Sequence, residues 1–174
     1  LLTINLFTLF FSNDMISSLL KNVFMFTREV NENISYTAFR IVVSFLFIQH
    51  GLAKYIEFPL SMTGGNGSVE IASLYGVAGI IEILFGSLIL IGFLTRISAF
   101  ICSGLMACAY FIGHVQTIEN FKTIPTPMLN GGENAILFCF SFLLIFCFGG
   151  RRLSLDRLIM VKKAENKKIK ILNK

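Results

Sequence analysis

The sequence predicts an all-α fold: a four-transmembrane-helix bundle with both termini cytoplasmic. Three observations point there. The chain has 174 residues and is 55% hydrophobic but only 14% charged, with a mean hydropathy of +0.74, whereas roughly a quarter of an ordinary soluble domain is charged. The apolar residues collect in long runs separated by Gly, Ser and Pro, and about 20 residues at 1.5 Å rise cross the roughly 30 Å hydrocarbon layer of a bilayer. The bases are unevenly placed: nine of the fifteen (Arg151, Arg152, Arg157, Lys162, Lys163, Lys167, Lys168, Lys170 and Lys174) follow the last apolar run.

Residues 1–35 read as an N-terminal leader. Leu1 to Phe11 is apolar but too short to span, and it has no basic segment ahead of it, so it is a poor secretory signal. Met15 opens a plausible cytoplasmic leader containing Lys21 and Arg28. Translation is therefore expected to start at Met15, with residues 1–14 untranslated.

The four-helix membrane domain is expected over 36–158. Its first span runs from Tyr36 to Tyr55 and is followed by a loop, Phe58 to Ser68, rich in Gly, Ser and Pro. The second span is Ser73 to Leu94 and the third Ile97 to Gln116, with Thr95 and Arg96 alone between them in a tight antiparallel hairpin. A second loop, Thr117 to Gly132, carries Pro125, Pro127 and an Asn-Gly-Gly turn. The fourth span, Glu133 to Phe148, is short enough that Glu133 belongs at the interface. Residues 159–174 form a basic cytoplasmic tail.

An even number of spans puts both termini and the Thr95-Arg96 turn on one side, together with Lys21, Arg28 and the basic tail. The other side has Lys54 and Lys122 against Glu57, Glu70 and Glu119. The bias of bases towards the cytoplasm then makes the chain a multi-pass protein of the cell's inner membrane with cytoplasmic termini. The net charge of +5 resides in the tail, and the remainder is slightly acidic. That argues against a nucleic-acid partner and for a tail lying near anionic lipid. Cys102, Cys108, Cys139 and Cys147 fall within spans and form no CxxC pair, so they read as small buried hydrophobes rather than as a disulfide framework or a metal site.

The chemistry is carried by charges inside the spans. Glu82 is the only charge between Ser73 and Leu94, and a carboxylate at mid-bilayer is costly unless paired, protonated or wetted. His50 and His114 lie within apolar runs and Glu133 opens another. Counted by helix rise from the cytoplasmic side, Glu82 and His50 fall at roughly equal depth, with His114 further out and Lys54 and Glu133 near the outer boundary. At 100° per residue, Tyr75, Gly79, Glu82 and Gly86 share one face of the second span. Arg96, Ser103, Ala107, Tyr110 and His114 share a face of the third, and Arg40, Phe47, His50 and Lys54 lie close together on the first. The polar faces can therefore turn inward, next to small residues that let helices approach. His50 and Glu82 are the expected buried pair, with Arg40 the second candidate partner of Glu82. Lys54 is expected to snorkel to the outer interface, and Asp156 to pair with a neighbouring arginine.

These residues carry a family resemblance. Arg40; Gln49-His50-Gly51-Leu52-Ala53-Lys54; Gly79-Ile80-Ile81-Glu82 with Gly86; Gly92-Phe93-Leu94-Thr95-Arg96; Asn130-Gly131-Gly132-Glu133; and Ser154-Leu155-Asp156 occur in an order that resembles the DoxX family. The resemblance covers about Tyr36 to Leu158. It implies a small four-helix integral membrane protein. Some relatives are named as subunits of quinone-linked oxidoreductases, including thiosulfate:quinone oxidoreductase, and others are linked to thiol-redox or oxidative-stress membrane complexes.

The expected function is a membrane component of a quinone-linked or thiol-redox oxidoreductase system, with His50, Glu82, His114, Glu133, Arg40 and Lys54 as the candidate polar site in the outward half. A quinone head group needs hydrogen-bond donors and a proton acceptor at moderate depth, and histidine titrates near neutral pH. No haem, flavin or iron-sulfur motif is present, so no intrinsic cofactor or metal is expected. Any electron carrier would be quinone or a redox partner protein. The alternative is a non-catalytic scaffold or a small-molecule permeation protein. The expected partners are the lipid bilayer, a redox protein and a second copy of the chain.

Overall fold

A computed structural model of the chain describes residues 2–115 and 126–172, with side chains from residue 16 onwards. The described residues are helical, without strands: α1 (Leu2–Tyr55), α2 (Leu74–Ile91), α3 (Thr95–Ala109) continued by a π-helical stretch (Tyr110–Val115), α4 (Pro127–Asn130), α5 (Glu133–Phe148) and α6 (Leu155–Leu172). Chain contacts divide the protein into Leu1–Tyr36 and Thr37–Lys174. The first unit is helical, with a surface salt bridge in which Arg28 Nε donates to Glu32 Oε1 at 2.8 Å and apolar side chains such as Leu20, Phe24 and Phe26 exposed.

The second unit is arranged inside out relative to a soluble protein. Phe45, Leu46, Val77, Leu84, Ile97, Phe100, Leu137 and Phe140 are exposed, while Arg40, Ser44, Lys54, Glu82, Thr95, Ser98 and Ser103 are buried. That distribution suits hydrocarbon as solvent, where apolar surface costs nothing and polar groups must be satisfied within the protein. Ile16–Tyr55, Leu74–Ile91 and Thr95–Val115 are each long and apolar enough to cross a membrane, and α5 is a shorter apolar helix. At 16 residues, α5 is about 24 Å long.

Helix ends follow from local chemistry. Ser73 caps α2, its hydroxyl accepting from Gly76 N at 3.0 Å. Gly92 ends α2 in the left-handed region at φ 73°. There Gly92 N reaches Ile89 O at 3.1 Å and Phe93 N reaches Leu88 O at 2.9 Å, the paired bonds of a Schellman stop. The connection to α3 is therefore Gly92 to Leu94. Thr95 and Arg96 are not a linker, as the sequence suggested, but the first residues of α3. The reason lies far along the chain: Asp156 accepts from Leu94 N at 2.8 Å, Thr95 N at 2.9 Å and Thr95 Oγ1 at 2.7 Å, capping α3 from outside. The carboxylate expected to meet an arginine is thus committed to a helix N-terminus. The expected end of the third span at Gln116, and most of the second loop, lie outside the described residues. From Thr126 on, that loop contains the single turn α4.

α3 packs on α2 and α5, and the core gathers Val43, Phe47, Ile89, Ala99, Cys102, Met106, Phe142 and Ile145. Phe47 of α1 meets Phe142 of α5 edge-on with ring centroids 4.6 Å apart. α1 and α2 approach through glycines. A Cβ on Gly51 would fall 2.6 Å from Ile83 Cγ1 and 2.8 Å from Gly79 O, and one on Gly86 would fall 2.9 Å from Ile48 Cγ1. This is how small residues bring spans together.

Gly51→Ala should lower the thermal midpoint of the purified protein in detergent, because the added carbon meets a backbone oxygen that cannot rotate away. Overpacking of this kind costs about 1–3 kcal/mol. Gly104→Ala, with nothing within 4 Å, should leave the midpoint unchanged or raise it, since alanine is favoured over glycine in a helix interior by about 0.5–1 kcal/mol.

Candidate functional site

The α1–α2 seam determines where Glu82 finds its partner. Lys54 Nζ donates to Glu82 Oε2, with the two residues only 7% and 3% exposed. The expected His50–Glu82 pair is replaced by Lys54–Glu82, and Lys54 turns into the protein instead of snorkelling outward. The physical reason is side-chain direction. Helical side chains lean towards the N-terminus of their own helix, and α1 and α2 run in opposite directions. Lys54, near the end of α1, leans back along it, and Glu82 leans towards the start of α2, so the two heads converge. Gly79 provides the path: a Cβ there would fall 3.2 Å from Lys54 Cδ and 2.9 Å from Tyr55 Cε2.

His50 is exposed on α1 one turn before Lys54, and its ring meets Phe138 of α5 edge-on with centroids 5.5 Å apart. It therefore stands at the α1–α5 edge rather than against Glu82. Arg40 is 2% exposed but does not approach Glu82. Its guanidinium donates to Ile89 O, to Leu90 O at 2.9 Å and to Leu153 O at 2.7 Å. It fastens the C-terminal end of α2, where carbonyls lack helical partners and the dipole is negative, to the segment leading into α6.

His114 belongs to a separate corner. Its Nδ1 lies 3.1 Å from Asn130 O, and its ring stacks on Tyr110 at 6.4 Å. Asn130 Nδ2 donates to Tyr110 OH at 3.4 Å, and Asn130 Oδ1 accepts from Gly132 N at 2.8 Å. Glu133 is the exposed first residue of α5, where a carboxylate complements the helix dipole. The six candidates thus fall into three places: the Lys54–Glu82 pair with His50 one turn away, the Arg40 clamp, and the corner holding His114 beside the start of α5.

Sequence reasoning missed the reach of Lys54, although the opposed directions of two adjacent spans signal it. It also missed Thr95 as the residue that Asp156 caps. In addition, Ser103 Oγ donates to Cys139 O at 2.9 Å, joining α3 to α5 through a polar contact beside a thiol.

Beyond the end of α1, Glu57 organises the loop. Its Oε1 accepts from Ser61 Oγ at 3.0 Å, Thr63 Oγ1 at 2.8 Å and Gly67 N at 3.0 Å. Val69 N donates to Lys54 O at 2.9 Å, tying the loop's far end to the helix. The bonds from Thr63, then Ser61, then Gly67 N hold the Glu57 carboxyl below its usual range.

The DoxX family model matches residues 35–115. An "Uncharacterized protein" of Haemophilus influenzae (strain ATCC 51907 / DSM 11121 / KW20 / Rd) is 48% identical over 117 residues, covering 67% of this chain and 84% of that protein. The chain belongs to the DoxX family. The DoxX match contains Arg40, His50, Lys54, Glu82, Thr95 and His114, and leaves Glu133 and Asp156 outside. No solved structure matches. Family membership and the apolar helices make this DoxX chain a membrane protein.

Two outcomes follow. Lys54→Met should destabilise the protein by about 3–5 kcal/mol, because it leaves a buried carboxylate without its countercharge, and Lys54→Met/Glu82→Leu should recover most of that loss. Thermal unfolding in detergent measures both. The Glu57 bonds favour the ionised carboxylate, so their contribution is present above the ordinary glutamate range and is lost as pH falls through the lower folded-state value. Protection of the Gly67 amide, taken relative to its intrinsic exchange rate at each pH, should fall over that descent, and Glu57→Gln should remove the change in protection.

Proposed function

We propose that this DoxX protein is a multi-pass inner-membrane protein with four spans and cytoplasmic termini, and that it acts as a membrane component of a quinone-linked or thiol-redox oxidoreductase system. The observation that carries this reading is the buried Lys54–Glu82 pair. A charged pair among apolar helices is costly to retain, and intramembrane ionisable residues mark proton and substrate pathways more often than packing alone. The distribution of bases supports the orientation. The pair then lies in the outward half, beneath the loop that Glu57 organises.

The donor set fits a quinone only in part. His50, exposed at the α1–α5 edge, can be reached from the lipid, and Lys54–Glu82 one turn away can hold or release a proton. His114, Glu133 and Arg40 do not join them, so the six-residue site first expected contracts to His50, Lys54 and Glu82. A quinone supplies two-electron, two-proton exchange when bound. The part assigned to the chain is to offer a hydrogen bond from His50 and to take up or give back a proton at the pair. Electrons are assigned to a redox partner protein, and a second copy of the chain remains a candidate neighbour.

The second reading is a non-catalytic scaffold or a small-molecule permeation protein, and the closeness of the α1–α2 seam, where glycines leave little space around the pair, favours the scaffold of the two. The readings separate in membrane vesicles that carry the protein with its native partners. Under the oxidoreductase reading, His50→Ala and the folded Lys54→Met/Glu82→Leu variant each slow quinone reduction by about tenfold or more, equivalent to about 1.4 kcal/mol on the barrier. Unchanged reduction by a folded double variant would leave the scaffold, and solute flux in proteoliposomes that depends on Glu82 would select permeation.

A further inference from the structure

α6 accounts for 18 residues that the polar site does not use. Its side chains are all at least partly exposed, with none buried. At 100° per residue, Leu155, Leu158, Ile159, Val161, Ile169 and Leu172 fall within an arc of roughly 160°, interrupted by Lys162, Glu165 and Asn166. These six are 40% to 83% exposed, so nothing in the described protein covers them. The opposite arc carries Arg157, Lys163, Lys167, Lys168 and Lys170 together with Met160, Ala164 and Ile171. Against these bases stand Glu165 and Asp156, and the Asp156 carboxylate is already committed to Leu94 and Thr95.

The start of α6 is fixed in place. Asp156 N donates to Gly92 O at 2.9 Å, and Arg40 holds Leu153 O at 2.7 Å. α6 therefore begins at the end of the bundle where α2 stops and α3 starts. That end is one of the two membrane faces for any protein whose α2 and α3 cross the bilayer. A helix with a broad apolar arc, a basic arc and an anchor at the membrane face has the make-up of an interfacial helix, with its apolar side at the acyl boundary and its lysines among the headgroups.

We propose that α6 lies on the bilayer surface and binds anionic phospholipid headgroups, which would make the protein's attachment sensitive to the charge of the cytoplasmic leaflet. The proposal rests on the cytoplasmic placement of the tail. Charge complementarity selects this occupant: a second copy would bring the same excess of bases and be repelled, and a nucleic acid would leave the apolar arc in water. Juxtamembrane bases are drawn to anionic leaflets, and the attraction is screened by salt.

The chain contains no tryptophan, so one introduced residue reports on its own surroundings. The full chain carrying Leu158→Trp, and separately Met160→Trp on the other arc, is placed in nanodiscs of neutral phosphatidylcholine or of phosphatidylcholine with phosphatidylserine. Both faces of a nanodisc share one composition, so the readout does not depend on orientation, and protease accessibility of the tail in sealed vesicles tests orientation separately. The expected result is a blue-shifted emission for Leu158→Trp that is quenched by brominated lipid, larger in anionic discs and reduced by salt. Met160→Trp should emit as if in water. Replacing Lys163, Lys167, Lys168 and Lys170 with Gln should remove most of the anionic enhancement. Emission from Leu158→Trp that matches water in both compositions overturns the proposal. So does a blue shift indifferent to lipid charge, and so does one that grows with the number of protein copies per disc, which would assign the face to a second copy.

Discussion

A lysine and a glutamate enclosed between apolar helices must neutralise each other, because hydrocarbon offers neither water nor counterions. Lys54 and Glu82 meet this requirement across the α1–α2 seam, and much of the local structure serves it. Gly51, Gly79 and Gly86 let the helices come close. The opposed directions of α1 and α2 turn two residues at different depths towards each other. The loop after α1 is held by its own carboxylate, Glu57, and by a backbone bond from Val69 to Lys54.

The opposite end of the bundle has a different logic. Only three residues separate the end of α2 from the start of α3, so the negative end of one helix dipole lies beside the positive end of the next. Arg40 meets the carbonyls of α2 and Asp156 meets the amides of α3, each charge placed against the helix end it complements. Gly92 is pressed against Ser154, where a Cβ would fall 2.5 Å from the serine Cβ. Arg40, Gly92, Thr95, Ser154 and Asp156 thus form one structural knot. Of the residues that carry the family resemblance, these explain architecture, while His50, Lys54 and Glu82 are the ones to which the proposed function assigns chemistry.

Separating these roles also narrows the functional question. A site spread from His50 to Glu133 would need four helices to converge, whereas His114 is engaged with Asn130 and Tyr110 in a corner of its own. The pair and its neighbouring imidazole make a smaller target. Removing both charges together separates a chemical role from a packing role, since a well-packed apolar replacement preserves the fold but cannot carry a proton.

The sequence by itself determined that the chain is helical, that it has apolar segments of membrane length near residues 36–55, 73–94 and 97–116, and that a shorter one follows at 133–148. Length, composition and turn residues are local properties, and each can be read without knowing what the segment packs against. The mid-span position of Glu82 and the small-residue faces were legible for the same reason. Only the tertiary structure decided that Glu82 meets Lys54 rather than His50, that Arg40 serves helix carbonyls rather than Glu82, and that Asp156 starts α3. Depth along a helix axis was the sole coordinate available from sequence, and it is blunt for residues with long side chains. Lysine, arginine and glutamate heads lie several ångströms from their own Cα atoms, and which way they reach is set by the direction and nearness of the adjoining helix.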